Sequence, residues 1–147
     1  MFKKIICAVD GSDHALKAAE VASDLAIKYG ADLTFLTISK ELKVTDEVKR
    51  FMQVEHLTGS PQYVIDEMTD RVLTEAKEKA KALGLKNVKA EVKTGHPART
   101  IVAYAERVGA DAIVMGSRGM GDIEGILLGS VSHKVSILAK CTCVTVK

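Results

Sequence analysis

The chain alternates short, continuously apolar runs with longer stretches in which apolar residues recur every three or four positions. Ile5–Val9 (Ile, Ile, Cys, Ala, Val) predicts a strand buried on both faces, as in a parallel sheet. Gly11 and Ser12 then turn the chain into a helix over about Asp13 to Tyr29. Its stripe Ala15, Ala19, Ala22 and Ala26, flanked by Leu25 and Tyr29, has the spacing of one buried face, and Gly30 supplies the stop. Leu33–Ile38 predicts the second strand. Ser60 as cap and Pro61 at the first helical position open a helix running to about Leu83. Ile65, Met68, Val72, Ala76, Ala80 and Leu83 form its stripe, and Gly84 closes it. Val88–Val92 alternates like a peripheral strand with one wet face. Pro97 opens a helix carrying Ile101, Val102, Ala105 and Val108 and ended by Gly109. Ala112–Met115 is a fourth, fully apolar strand; a glycine-rich loop, a helix over about Ser130 to Ala139 and a strand near Thr142–Val146 follow.

This βαβαβαβαβ order, joined by right-handed crossovers, predicts an α/β fold. The expectation is a single domain over residues 1–147, a doubly wound five-stranded parallel sheet with helices on both faces. Lys40–Gly59 fits least well. Thr45-Asp46-Glu47 can cap a short helix with Val48, Phe51 and Met52 on one side. A connection this long is either a binding lid or a mobile surface segment.

Composition narrows the choice of function. The 147 residues are 47% hydrophobic and 27% charged, which excludes a disordered chain, and they suffice for one domain. Aromatics make up only 4%, too few for base-stacking platforms. Lys and Arg number 21 against 19 Asp and Glu, so a net charge of +2 sets up no field for nucleic acid or anionic membrane. No apolar run approaches the roughly 20 residues of a membrane span, and the apolar run after Lys4 is too short for a secretion signal. With three cysteines, an odd number, the expected setting is reducing and cytoplasmic.

The most informative stretch is Met115 to Ser132, with glycines at 116, 119, 121, 125 and 129 and serines at 130 and 132. It follows the fourth strand and leads into a helix, where open α/β sheets place their ligands. Glycines let main-chain N–H groups approach an anion, the helix start adds donors and a positive dipole end, and Arg118 can add a charged fork. Each glycine taken singly reads as an ordinary turn residue; together they predict an anion site. Neither standard nucleotide loop is present. No Gly-Lys-Ser or Gly-Lys-Thr occurs, and Gly119-x-Gly121-x-x-x-Gly125 misses the dinucleotide spacing and follows the wrong strand.

Gly116-x2-Gly119-x9-Gly129-Ser130 resembles the G-x2-G-x9-G-[ST] loop of ATP-binding members of the universal stress protein family. The likeness extends to Lys3–Ser12, to Gly95-His96-Pro97-Ala98 through Ile101, to Ala110–Gly119 and to Leu127–Ser132. It implies an adenine nucleotide alpha hydrolase-like fold that binds ATP with Mg²⁺. It also implies that Asp10 reaches the ribose or base, that the backbone at Val9 and Ile38 borders the adenine, and that Met115 and Gly116 line base and sugar. Gly119, Gly129, Ser130, Val131 and Ser132 would wrap the phosphates. Two departures stand out: Thr37 where the family often has His, and Cys141-Thr142-Cys143 where it often has Cys-Pro-Val. The second touches the last strand, through which these proteins commonly form homodimers.

The remaining polar residues carry competing readings. Asp10 either accepts N–H bonds in the Gly11-Ser12 turn or belongs to the site. Asp13 either complements the helix dipole or holds a water on Mg²⁺. His14, His56, His96 and His133 form no ligand pair and most of them read as solvated, with no Ser-His-Asp set in view. Cys141 and Cys143 share a sheet face and read as small hydrophobes, and Glu75–Lys81 reads as a solvated helix face. The expected function is a nucleotide-dependent stress-response sensor or switch. The alternatives are a slow ATPase or phosphotransferase, and an interaction protein that keeps the fold without nucleotide.

Overall fold

The computed structural model describes residues 1–40, 45–56, 61–123 and 128–147. The elements are β1 (Lys4–Ala8), α1 (Asp13–Tyr29), β2 (Asp32–Ser39), α2 (Asp46–Val54) and α3 (Pro61–Ala82), followed by β3 (Val88–Thr94), α4 (Pro97–Val108), β4 (Ala112–Gly116), α5 (Ser130–Leu138) and β5 (Thr142–Val146). All strands pair in parallel, in the order β3-β2-β1-β4-β5. This is the doubly wound sheet that the alternation predicts. The continuously apolar runs form its centre, β1 and β4, and the alternating β3 lies at one edge.

Successive side chains along a strand face opposite sides, and each side has its own core. Ile5, Cys7, Leu33, Phe35 and Val114 pack with α1 and α3, while Ile6, Leu36, Ile113 and Met115 pack with α4 and Val135 of α5. The buried face of α1 is almost all alanine, which lets the helix lie close to the sheet. Ser23 is buried there too, its hydroxyl donating to the Ala19 carbonyl at 2.7 Å. The helix starts as predicted, with Ser12 Oγ accepting the Ala15 N–H at 3.2 Å. Gly30 and Gly109 end α1 and α4 in the left-handed region, so that the Ala31 and Ala110 N–H groups reach back to the Ala26 and Ala105 carbonyls at 2.9 Å.

Two packing expectations, on α1 and α3, need correction. Tyr29 is exposed, and Ala18 and Ser23 fill the α1 face instead. On α3 the core residues are Leu73, Ala76 and Ala80, whereas Met68 is 59% exposed and Leu83 is exposed as well. The first half of α3 carries an apolar stripe that faces a cleft rather than the core. In the long connection α2 forms, with Thr45 Oγ1 accepting the Val48 N–H at 3.4 Å, but none of its residues is buried and Phe51 is 61% exposed. The Ser60 cap and the rest of that connection (41–44, 57–60) lie outside the described residues, as does Gly125. Among the described residues no helix is long and apolar enough to cross a membrane.

The end of the sheet away from the glycine loop is fastened by Asp111, just before β4. Its Oδ2 accepts the main-chain N–H groups of Lys3 and Lys4 at 2.7 and 2.8 Å, tying the start of β1 to the start of β4. These two N–H donors hold its carboxyl below the usual aspartate range. A depressed folded-state pKa adds stability at neutral pH that is lost as pH falls through the carboxylate range, below about pH 4. Asp111→Asn keeps an acceptor and removes the charge. Urea midpoints should therefore fall less on acidification in this variant than in the wild type.

Candidate functional site

β1 and β4 are neighbours at the centre of the sheet, yet the chain leaves them for opposite faces, β1 to α1 and β4 to α5. A crevice must open where their C-terminal ends part. A cleft of about 560 Å³ lies there. A second hollow, between α4 and residues 139–141, measures only about 100 Å³ and lies away from these strand ends.

The cleft has two characters. Its apolar part is bounded by Val9, Ile38, Met115 and Ile101 and overhung by Met68 and Val72 of α3. Its polar part is bounded by Asp10, Arg118, Gly119, Asp122 and the start of α5. Of the residues expected in a site, Val9, Asp10, Ile38, Met115, Gly116, Arg118, Gly119, Ser130, Val131 and Ser132 all line this one cleft. Gly129 lies buried just behind them as the N-cap of α5. Asp13 does not line the cleft; it is exposed in the first turn of α1, where the helix dipole accounts for it.

The glycines work by close approach. None of Gly116, Gly119, Gly121 and Gly129 has a positive φ, so conformational freedom is not what the loop draws from them. A Cβ on Gly116 would lie 2.8 Å from the His14 carbonyl carbon and 2.9 Å from the Ala15 nitrogen, both backbone of α1. A Cβ on Gly119 would lie 2.6 Å from Asp10 Oδ2. Gly129 sits directly against the Asp122 carboxylate and 3.2 Å, measured from an added Cβ, from Arg118 Cα.

Ser117, buried next to Gly116, ties three elements together. Its N–H donates to the Val146 carbonyl of β5 at 2.7 Å, and its carbonyl accepts the Gly129 N–H at 2.6 Å and the Ser132 hydroxyl at 2.7 Å. The Ser132 hydroxyl, expected as a phosphate donor, is thus buried and engaged by carbonyls, Gly129 O at 3.1 Å included. Only its main-chain N–H, in the first turn of α5, lacks an acceptor within the helix.

Asp10 combines both of its readings. Oδ1 accepts the Ser12 N–H and hydroxyl at 3.0 and 2.6 Å, and Oδ2 crosses to the Met120 N–H at 3.1 Å. Asp122, which the sequence did not single out, accepts the Gly119 N–H on Oδ2 and the Ser130 N–H on Oδ1 at 3.4 Å. His14 lies between Ser117 Oγ (Nδ1, 2.9 Å) and the Arg118 guanidinium (Nε2, 3.2 Å). A guanidinium only donates, so Nε2 accepts and Nδ1 of the neutral ring carries the proton towards Ser117. Arg118 is thereby steered along the cleft wall, and Lys40 is a second cation on the lining. No cluster of three or more His, Cys, Asp or Glu able to hold a metal occurs among the described residues. The thiols are free: burial pushes Cys7 far up, and partial burial raises Cys141 and Cys143, so none favours the thiolate.

The sequence profile of the Universal stress protein family matches residues 1–147. The chain belongs to the universal stress protein family. YxiE, a universal stress protein of Bacillus subtilis, is 38% identical across the full length of both chains. Universal stress protein UspA from Lactobacillus plantarum superimposes with a TM-score of 0.82 at 22% identity, covering 99% of this chain and 98% of that one. A universal stress protein solved in complex with cAMP superimposes with a TM-score of 0.74 at 27% identity, covering 99% and 97%. The universal stress protein fold is thus present over the whole sheet and both helical layers.

Gly116→Ala should destabilise the fold by about 1–3 kcal/mol, because the colliding atoms are backbone and α1 must move. Gly121→Ala meets nothing within 4 Å and should stay within about 0.5 kcal/mol of wild type. Urea denaturation of the two variants checks the contrast.

Proposed function

We propose that the cleft binds an adenine nucleotide, ATP among them, and that the protein acts as a nucleotide-dependent sensor or switch. The observation that carries this reading is the meeting of an apolar slot with main-chain amides that already hold an anion, the Asp122 carboxylate. In the bound state the base occupies the slot beside Val9, Ile38 and Met115. Gly116 and Asp10 face the sugar. The phosphates lie along Gly119 and the N–H groups of Ser130, Val131 and Ser132, at the positive end of the α5 dipole, with Gly129 giving them clearance. That a universal stress protein of the same fold was solved in complex with cAMP supports an adenine nucleotide as the ligand. Mg²⁺ enters on the phosphates, since few protein carboxylates are needed there and Asp13 stands outside the cleft.

Binding is favoured over turnover. Hydrolysis needs a positioned water and charge stabilisation at the γ-phosphate. Arg118 is engaged by His14, and the Asp10 and Asp122 carboxylates are engaged by main-chain donors. Three unpaired thiols accord with a cytoplasmic setting. The outer edge of β5, which ends the sheet, supports a homodimer by strand pairing. Sedimentation equilibrium should then return twice the 15.8 kDa chain mass, and a single chain mass would remove the dimer.

Calorimetry tests the nucleotide. ATP should bind the wild type, and Gly119→Val, which drives side-chain atoms into the Asp10 carboxylate and the phosphate path, should lose about tenfold or more in affinity. Undiminished affinity in that variant would take the loop out of the site. Rapid ADP release by the wild type would replace the switch with an ATPase.

A further inference from the structure

We propose that Asp122 is a specificity-determining residue: its carboxylate occupies the phosphate-facing amides of the cleft and keeps small free anions out. This rests on the reading of Gly119 and Ser130 as the phosphate cradle. The two oxygens of Asp122 divide the cradle between them, Oδ2 on the Gly119 N–H and Oδ1 on the Ser130 N–H at 3.4 Å. The first donor belongs to the loop after β4 and the second opens α5, so one carboxylate spans the gap a phosphate would span. The glycines leave room for this group in particular. Gly129 sits against Oδ2, where an added Cβ would also lie 2.8 Å from Asp122 Cγ, and an added Cβ on Gly119 would lie 3.5 Å from Oδ2.

The tether is short. The Asp122 N–H donates to the Gly119 carbonyl at 3.3 Å, closing a four-residue turn that aims the carboxylate back at the Gly119 amide. A tethered group competes at an effective concentration of about millimolar or more. A free phosphate must displace it with nothing to gain elsewhere, and the displaced carboxylate then faces it as a like charge. A nucleotide brings its base into the apolar slot and several phosphate oxygens to the α5 amides, so it alone has the surplus to open the cradle. Asp122 thus converts an anion site into one that demands the rest of the ligand.

Wild type, Asp122→Asn and Asp122→Ala separate the possibilities, the Asn variant keeping shape and an acceptor should the Ala variant fold poorly. Inorganic phosphate is titrated while the Gly119 and Ser130 amide resonances are followed, and ATP is titrated by calorimetry. The variants should bind phosphate at least about tenfold more tightly than wild type and ATP more tightly as well, since the closed population no longer reduces affinity. Equal or weaker phosphate binding in both variants overturns the role of Asp122, whether or not ATP binds. Tighter phosphate binding with no ATP binding to any of the three proteins upholds that role and removes the nucleotide. Binding of neither anion to any of them overturns both.

Discussion

The cleft depends on how closely α1 can pass the end of β4. At Gly116 the backbone of residues 14 and 15 comes so near that no side chain fits, and this contact brings the turn after β1 up against the loop after β4. Ser117 then fixes the next step of the chain by bonding to β5, to the cap of α5 and, through its hydroxyl, to His14 on α1. Once these bonds are made, Gly119, Asp122 and Ser130 have little freedom to be anywhere but around one small volume. The polar end of the cleft is therefore assembled by the packing of the sheet's central strands.

That assembly leaves few loose polar groups. Among the described residues, no buried side-chain nitrogen or oxygen lacks a hydrogen-bond partner. Asp10 and His14 each bridge segments far apart in sequence, and Asp122 joins the loop to the start of α5, so the loop is held by side chains as well as by its own turns. The Asp10 and His14 bonds organise the walls of the site in advance, which lowers the ordering penalty on a ligand. The apolar side is supplied by a different device, the first half of α3, whose Ile65, Met68 and Val72 line the cleft.

Much of the fold was legible because its signals are local. The apolar runs of β1 and β4, the Ser12 cap and the Gly30 and Gly109 stops each depend on residues a few positions apart. The neighbourhood of the site was legible for the same reason, since loop and helix start are contiguous. What could not be read were contacts made across the chain. Met68 has the periodicity of a core residue yet is exposed on the cleft, while Val72 both packs against the core and lines the cleft. His14 is about a hundred residues from Ser117 and Arg118, and nothing in its surroundings announces either. The Ser132 hydroxyl looked available because the carbonyl that takes it belongs to Ser117. For Asp122 a signal did exist: an acid three residues after Gly119, within a loop otherwise suited to anions, is positioned to fold back on that loop's own amides.

The Asp111 clamp fastens β1 to β4 at the far end from all of this. A clamp on the strands and the chemistry that meets a ligand therefore sit at opposite poles of the same two strands. Lineages bearing this scaffold can rewrite residues 118–123 and retune what is recognised while the Asp111 clamp is left untouched.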